Sequence, residues 1–281
     1  MTILELGNLF SNTLSSFYSK SEVRALFHIY VKEKLGLDAH EIYLGEKNIS
    51  ENLDYKSDLQ RLVRGEPMQY VVGSAEFYGL RFEVTPSVLI PRPETEELVE
   101  KVVSEEKGRG AVKILDIGTG SGAIAVALSR NLPVAEVWAA DCSAAALGMA
   151  RHNAEILNAS VKFILWDIFN DVPQELPQFD IIVSNPPYIP ENEKSIMSPI
   201  VTAYEPETAL FVPDAEPALF YERIATLGST LLAPNGSVYV EIHEDYSAES
   251  AAAFENNGFC KVEVIKDING KARIVFCQKK Y

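Results

Sequence analysis

Between residues 112 and 242 five short apolar runs alternate with longer stretches of helical spacing, and this alternation constrains the fold more than any other feature. The runs fall at 112–117, 135–140, 161–165, 179–184 and 236–242; they are rich in Val, Ile and Ala, with little polar alternation. Strands of that kind are buried on both faces, and strands separated by helices join through crossovers rather than hairpins. The expected fold is α/β, a doubly wound and mostly parallel sheet. The end of the chain differs, because 262–268, the Asn269-Gly270 turn and 272–277 read as an antiparallel last hairpin.

In such sheets ligands bind outside the carboxyl ends of the strands, so the residues that follow each run carry the functional reading. The fourth run stops at Asn185-Pro186-Pro187-Tyr188, since neither proline can donate to a sheet ladder. The prolines supply carbonyls without N–H groups and the Asn side chain adds another carbonyl, so the loop offers acceptors at a fixed spacing. An incoming NH2 held by Asn185 Oδ1 and the Pro186 carbonyl has both hydrogens occupied and its lone pair free, while Tyr188 covers one face of a planar group. Asn-Pro also marks plain turns in unrelated chains.

The first run leads into Gly118-Thr119-Gly120-Ser121-Gly122, ahead of a helix that starts at Ala123. Glycines there let a ligand approach the backbone and the helix amino terminus. The spacing Gly118-x-Gly120-x-x-Ala123 meets the loose dinucleotide fingerprint, so an NAD-dependent dehydrogenase is an alternative. The third glycine and the nearby Asp116 favour instead a nucleoside carried on an amino acid, as in S-adenosyl-L-methionine. Asp141, after the second run, suits both ribose hydroxyls, with Ser143 better placed to cap the next helix. Asp167, after the third, is placed to hold an adenine amino group with Ile168 against the ring, although Asp is ordinary at strand ends.

Ahead of the sheet, apolar residues recur at helical spacing from 3 to 35, Gly36 stops the second helix, and Asp38 with Glu41 reads as a capping box. A further helix over 53–63 completes a small bundle at 1–66. Tyr70-Val71-Val72 and 77–84 are β-rich and separated by Gly73-Ser74, which predicts a hairpin within a connector at 67–92. Pro93 can open a helix, with Glu94, Glu96 and Glu97 near its amino terminus; Arg92 and Glu94 either cap it or face a ligand. The sheet domain then occupies 93–281.

A net charge of −15 argues against a sequence-independent grip on nucleic acid. Residues 1–85 hold 9 basic and 12 acidic residues, a net of −3, which leaves −12 for the remainder. Three cysteines without metal-type spacing suit a reducing cytosol. His28, His40, His152 and His243 are scattered and read as structural or surface residues, so no metal site is expected. The first thirty residues lack a basic n-region, and no apolar run reaches the length of a membrane span. A cytoplasmic protein is expected.

With these stretches in view the chain resembles, over nearly its whole length, the HemK/PrmC family of protein-glutamine methyltransferases. The matching text is Gly65-Glu66-Pro67-Met68-Gln69-Tyr70, the 77–84 segment, Val88-Leu89-Ile90-Pro91-Arg92-Pro93-Glu94-Thr95-Glu96, the glycine loop, Asp141, Asn185-Pro186-Pro187-Tyr188-Ile189-Pro190, Tyr204-Glu205-Pro206 and Glu241. Asn-Pro-Pro-Tyr alone also looks like adenine amino-methyltransferases; the Ile-Pro-Arg-Pro-Glu-Thr-Glu run is far more specific. The resemblance implies a class I methyltransferase fold with an amino-terminal helical domain for substrate recognition. It also implies a substrate glutamine in the Gly-Gly-Gln loop of class 1 peptide-chain release factors. Apart from the resemblance, a monomer with no membrane and no direct nucleic-acid partner is expected.

Carried over, residues 118–122 would line the cofactor's methionine end and Asp141 its ribose, while Asp167 for the adenine stays a reading of the residues alone. Asn185 to Tyr188 hold the glutamine, with Asn185 also bordering the cofactor and Asn185, Pro186 and Tyr188 serving the reaction. Two departures stand out: Glu241-Ile242-His243-Glu244-Asp245 lacks the family's Gly and Gln, and 210–219 lacks its Asp-Gly-Leu. The rival functions are a glutamine methyltransferase for a ribosomal protein, an adenine N6-methyltransferase on nucleic acid, and a non-catalytic cofactor-binding module docking on a translation factor.

Overall fold

The computed structural model describes residues 1–49, 53–108 and 110–280; residues 50–52, 109 and 281, which fall within the expected domain spans, lie outside the described residues. The chain forms two compact units: Met1–Ser74 with Ser198–Tyr204, and Ala75–Met197 with Glu205–Tyr281.

In the first unit, α1 (Ile3–Leu14), α2 (Lys20–Leu35) and α3 (Ala39–Leu44) each open on a capping box, from Thr2, Ser19 and Asp38 to Glu5, Glu22 and Glu41. Gly36 ends α2 in the left-handed conformation at φ 65°. With α4 (Tyr55–Val63) they bury Leu6, Phe10, Tyr30, Val31, Leu59 and Leu62 in one core. The Tyr30 hydroxyl donates to the Asp58 carboxylate within it at 2.8 Å.

The expected strand at Tyr70-Val71-Val72 is instead a helix, α5 (Met68–Val72). Pro67 precedes it and Gly73 closes it at φ 80°. Met68 and Val71, one helical turn apart, enter the bundle core, and Arg61, held by Glu66, donates to the carbonyls of Tyr70 and Val71. Packing and satisfied end carbonyls outweigh the β preference of two valines. The hairpin lies further on, as β1 (Ser74–Phe77) and β2 (Leu80–Glu83) joined by Tyr78 and Gly79 at φ 49° and 70°.

The second unit continues with α6 (Pro93–Glu106), β3 (Lys113–Ile117), α7 (Ala123–Asn131), β4 (Glu136–Asp141), α8 (Ala144–Ile156), β5 (Val161–Leu165) and β6 (Phe179–Ser184). After β6 come the short β7 (Ile189–Pro190), α9 (Pro199–Tyr204), which belongs to the first unit, and β8 (Phe211–Val212). Then follow α10 (Leu219–Leu231), β9 (Leu232–Glu241), α11 (Ser247–Asn256), β10 (Cys260–Lys266) and β11 (Ala272–Gln278).

The sheet order is β10-β11-β9-β6-β3-β4-β5; β11 runs antiparallel to both neighbours and the other pairings are parallel. From β3 the chain builds outward through β4 and β5, then returns to β6 on the other side, so the topological switch point lies between β3 and β6. The apolar runs are continuous because both sheet faces are covered. Ile114, Ile181 and Val183 face a core with α6 and α7. Leu115, Ile182 and Val240 face another with α10 and α11.

Strand β9 begins at Leu232, four residues before the sequence suggests, because its pairing with β6 is interrupted. Phe179 pairs with Leu232 and Ile181 already pairs with Ser237, so 233–236 bulge, with Asn235 at φ 63°. Gly236 is required there: a Cβ would stand 3.0 Å from the Ala233 carbonyl oxygen and 3.1 Å from that of Asp180. Gly236→Ala is expected to lower stability by about 1–3 kcal/mol, read as a reduced urea midpoint at unchanged m-value.

Candidate active site

Strand register brings the site together. Ala140 of β4 aligns with Ile117 of β3, Ile117 with Ser184 of β6, and Ser184 with Val240 of β9. The residue after each pairing position, namely Asp141, Gly118, Asn185 and Glu241, therefore stands beside the next at the carboxyl edge, roughly 5 Å apart as strand spacing dictates. The Ser184 hydroxyl donates to the Ile117 carbonyl at 2.7 Å, tying the last residues of β3 and β6 together. The glycine loop and the diproline loop thus leave neighbouring strands at the switch point.

The glycine loop is held open from below. Gly118 and Thr119 donate to the Ala140 carbonyl at 2.9 and 3.0 Å, and Gly120 N–H donates to Asp141 Oδ2 at 2.9 Å. Gly118, Gly120 and Gly122 have φ of 72°, 55° and 82°. A Cβ on Gly118 or Gly120 would meet nothing within 4 Å, whereas one on Gly122 would press on Ala150 of α8 at 3.1 Å. The first two glycines shape a cradle and the third permits close helix packing. Thr119 and Ser121 are buried beside them.

Asp116 lies fully buried beneath the loop. Its Oδ2 accepts from the Thr119 hydroxyl at 2.6 Å and from Ala125 N–H at 3.2 Å, while its Oδ1 has no partner among the described residues. Burial pushes its carboxyl up to about 7, against those two hydrogen bonds, with the Asp141 charge adding to the rise. Asp141 is raised by burial too, opposed by backbone donors that include Ser143 and Gly120. Ser143 caps α8. Asp167 lies past the end of β5, exposed, with Oδ1 accepting from Phe169 N–H at 3.0 Å, and Ile168 is buried in a sheet core.

The diproline loop is braced from behind. Asn185 Nδ2 donates to Thr95 Oγ1 at 3.0 Å, the Thr95 hydroxyl donates to Glu241 Oε2 at 2.6 Å, and the Tyr188 hydroxyl donates to Glu241 Oε1 at 3.1 Å. Pro186 is buried, and Pro187 and Tyr188 are half-buried. The Tyr188 ring meets His243 edge to face at 6.0 Å, and Tyr188 and Ile189 N–H groups donate to the Leu210 carbonyl. Burial and the Glu241 charge raise Tyr188, so its hydroxyl keeps its proton. Arg92 is the N-cap residue of α6 but makes no side-chain cap hydrogen bond; its guanidinium pairs instead with the buried Glu205, which also accepts from Ile90 N–H.

Thr95 and Glu241 escape the sequence reading as site residues. The available signal is Glu241 itself, a carboxylate closing an apolar strand.

A sheet of this order, with the reversed strand next to last and a glycine cradle at its switch point, defines a class I methyltransferase. The Methyltransferase small domain family matches residues 94–204. A release factor glutamine methyltransferase of Bacteroides thetaiotaomicron is 47% identical over 94% of this chain and 95% of that protein. One of Flavobacterium psychrophilum is 38% identical over 98% of each. A T. thermophilus 16S rRNA methyltransferase solved with AdoMet and guanosine shares the fold, at 19% identity and TM-score 0.50 over 74% of this chain and 50% of that one. The chain belongs to the release factor glutamine methyltransferase family. Among the described residues no helix is long and apolar enough to cross a membrane.

The buried Asp116 gives a pH test. The folded protein binds this proton more tightly than the unfolded chain, so its contribution favours folding at low pH, shrinks as pH rises from about 4 to about 7, and is level above that. The Tm of wild type relative to Asp116→Asn is expected to fall across that window; a pH-independent difference contradicts the assignment.

Proposed function

We propose that the protein methylates the side-chain amide nitrogen of the glutamine in the Gly-Gly-Gln loop of class 1 peptide-chain release factors, with S-adenosyl-L-methionine as donor. The observation that carries this reading is the juxtaposition of the two loops on β3 and β6, one a cradle and the other a set of acceptors.

The residues fit that donor. The open space over Gly118 and Gly120 admits its backbone-hugging methionine end, and the unpartnered Asp116 Oδ1 suits an ammonium. Asp141 would accept from the ribose and Asp167 from the adenine amino group. When bound, the donor supplies an electrophilic methyl on a sulfonium.

An amide nitrogen is a poor nucleophile because its lone pair is shared with the carbonyl. Asn185 Oδ1 and the Pro186 carbonyl would each accept one of its hydrogens, favouring the positive charge that grows on nitrogen as the new bond forms, and fixing its direction. Tyr188 would bound the amide plane on one side. No side chain is needed as a base before transfer, since the proton turns acidic only afterwards. The amino-terminal unit would select the partner protein, and the work would take place in the cytoplasm.

Asn185→Ala is expected to slow methylation about tenfold or more, from loss of an acceptor for a buried donor worth ~1–3 kcal/mol. Unchanged rate and unchanged cofactor affinity would contradict the role. The function itself is tested by incubating the purified protein with labelled S-adenosylmethionine and, separately, a release factor, ribosomal proteins and DNA. Mass mapping should place the label on the release-factor glutamine; label on a ribosomal protein or on adenine would overturn the proposal.

A further inference from the structure

The Asn185 amide has two ends of opposite hydrogen-bonding sense, and only its oxygen suits an incoming NH2. Which end faces outward is decided two side chains away. Glu241 closes β9 at 1% exposure, and both of its oxygens receive hydroxyl donors, from Thr95 and from Tyr188. An ionised carboxylate only accepts, so the Thr95 hydrogen is committed to it. What Thr95 turns toward Asn185 at 3.0 Å is then a lone pair, and the amide can answer only with its NH2. Asn185 Oδ1 is left to point the other way.

The surroundings bear on that ionised state from several sides. Burial, with the Glu94 charge, raises the Glu241 carboxyl above its usual value, and the Thr95 and Tyr188 hydrogen bonds and the Arg273 charge oppose that rise. Arg273 is itself anchored on the buried Asp267. The hydroxyl geometry carries the argument: Thr95 and Tyr188 approach separate oxygens of Glu241, at 2.6 and 3.1 Å, one hydroxyl for each.

We infer that Glu241 is a positioning residue which, through Thr95, sets the polarity of the Asn185 amide and so makes the loop select an NH2 over a carboxylate. The inference rests on the glutamine reading of this loop and names what lets it tell glutamine from glutamate, which differ at that one group. The same acceptor-only anchor holds the Tyr188 ring in place.

The test uses the full chain with S-adenosylmethionine and two synthetic peptides, one ending its loop in Gly-Gly-Gln and the other in Gly-Gly-Glu. Thr95→Val and Glu241→Met each release the amide to turn over, and are expected to lower the methylation rate about tenfold or more. They should also improve inhibition by the glutamate peptide relative to the glutamine peptide by about threefold or more, because an outward NH2 now meets the carboxylate. Thr95→Ser restores the hydroxyl and should recover most of the rate lost in Thr95→Val, which a purely steric role for the threonine methyl would not allow.

Unchanged rates and an unchanged peptide ratio in both disrupting variants, with stabilisation by S-adenosylhomocysteine intact, would overturn the inference. A measurement free of substitutions stands beside these: neutron diffraction of the wild type should place two deuterons on the Asn185 atom facing Thr95, and an oxygen there overturns the assignment. Wild type that never methylates glutamine removes the functional reading, and the neutron result still decides the polarity.

Discussion

The structure depends on the register of four neighbouring strands. Because β4, β3, β6 and β9 run parallel and are aligned at Ala140, Ile117, Ser184 and Val240, they end within one residue of one another. Whatever residue follows each aligned position is delivered to one edge at strand spacing. A slip of one residue would turn Ile117 and Ser184 to the opposite faces and put Asn185 on the wrong side of its own loop. The two cores that bury both faces of the sheet resist that slip, so packing far from the edge sets the precision of the edge.

Buried carboxylates then convert a row of strand ends into a shaped site. Asp116, Glu205 and Glu241 are each nearly or wholly buried, a state that costs several kcal/mol for an unpartnered ion. Glu205 offsets this with Arg92 and the Ile90 N–H, and Glu241 with two hydroxyls. The Ile-Pro-Arg-Pro-Glu-Thr-Glu run serves mainly as the source of these partners: its isoleucine and arginine hold Glu205, and its threonine links Glu241 to Asn185. Asp116 differs in keeping one buried oxygen without a partner among the described residues.

Much of this was legible from the residues. The strands at Val161–Leu165 and Phe179–Ser184 fall where the apolar runs place them; Gln178 and Asn185 bound the second directly, and Ser160 and, one residue on, Asp167 bound the first. The glycine loop and Asn185 could be placed at the carboxyl edge for the same reason. Tyr70-Val71-Val72 misled because its β preference is local, whereas the Arg61 guanidinium that satisfies its helix end arrives from α4. The early start of β9 was hidden by a bulge whose residues carry no apolar pattern. The brace behind Asn185 joins Thr95 to Glu241 across 146 positions, and no spacing rule reports a contact of that range.

In the proposed reaction the glycine cradle and the diproline loop face one another across the β3–β6 switch point. The most direct measurement is a crystal structure of the protein with S-adenosylhomocysteine and a Gly-Gly-Gln peptide. The account predicts the glutamine nitrogen about 3 Å from both Asn185 Oδ1 and the Pro186 carbonyl oxygen, with the sulfur above Gly118 on the side of the free lone pair. A glutamine seated away from the diproline loop, or a sulfur separated from it by protein, would contradict the account.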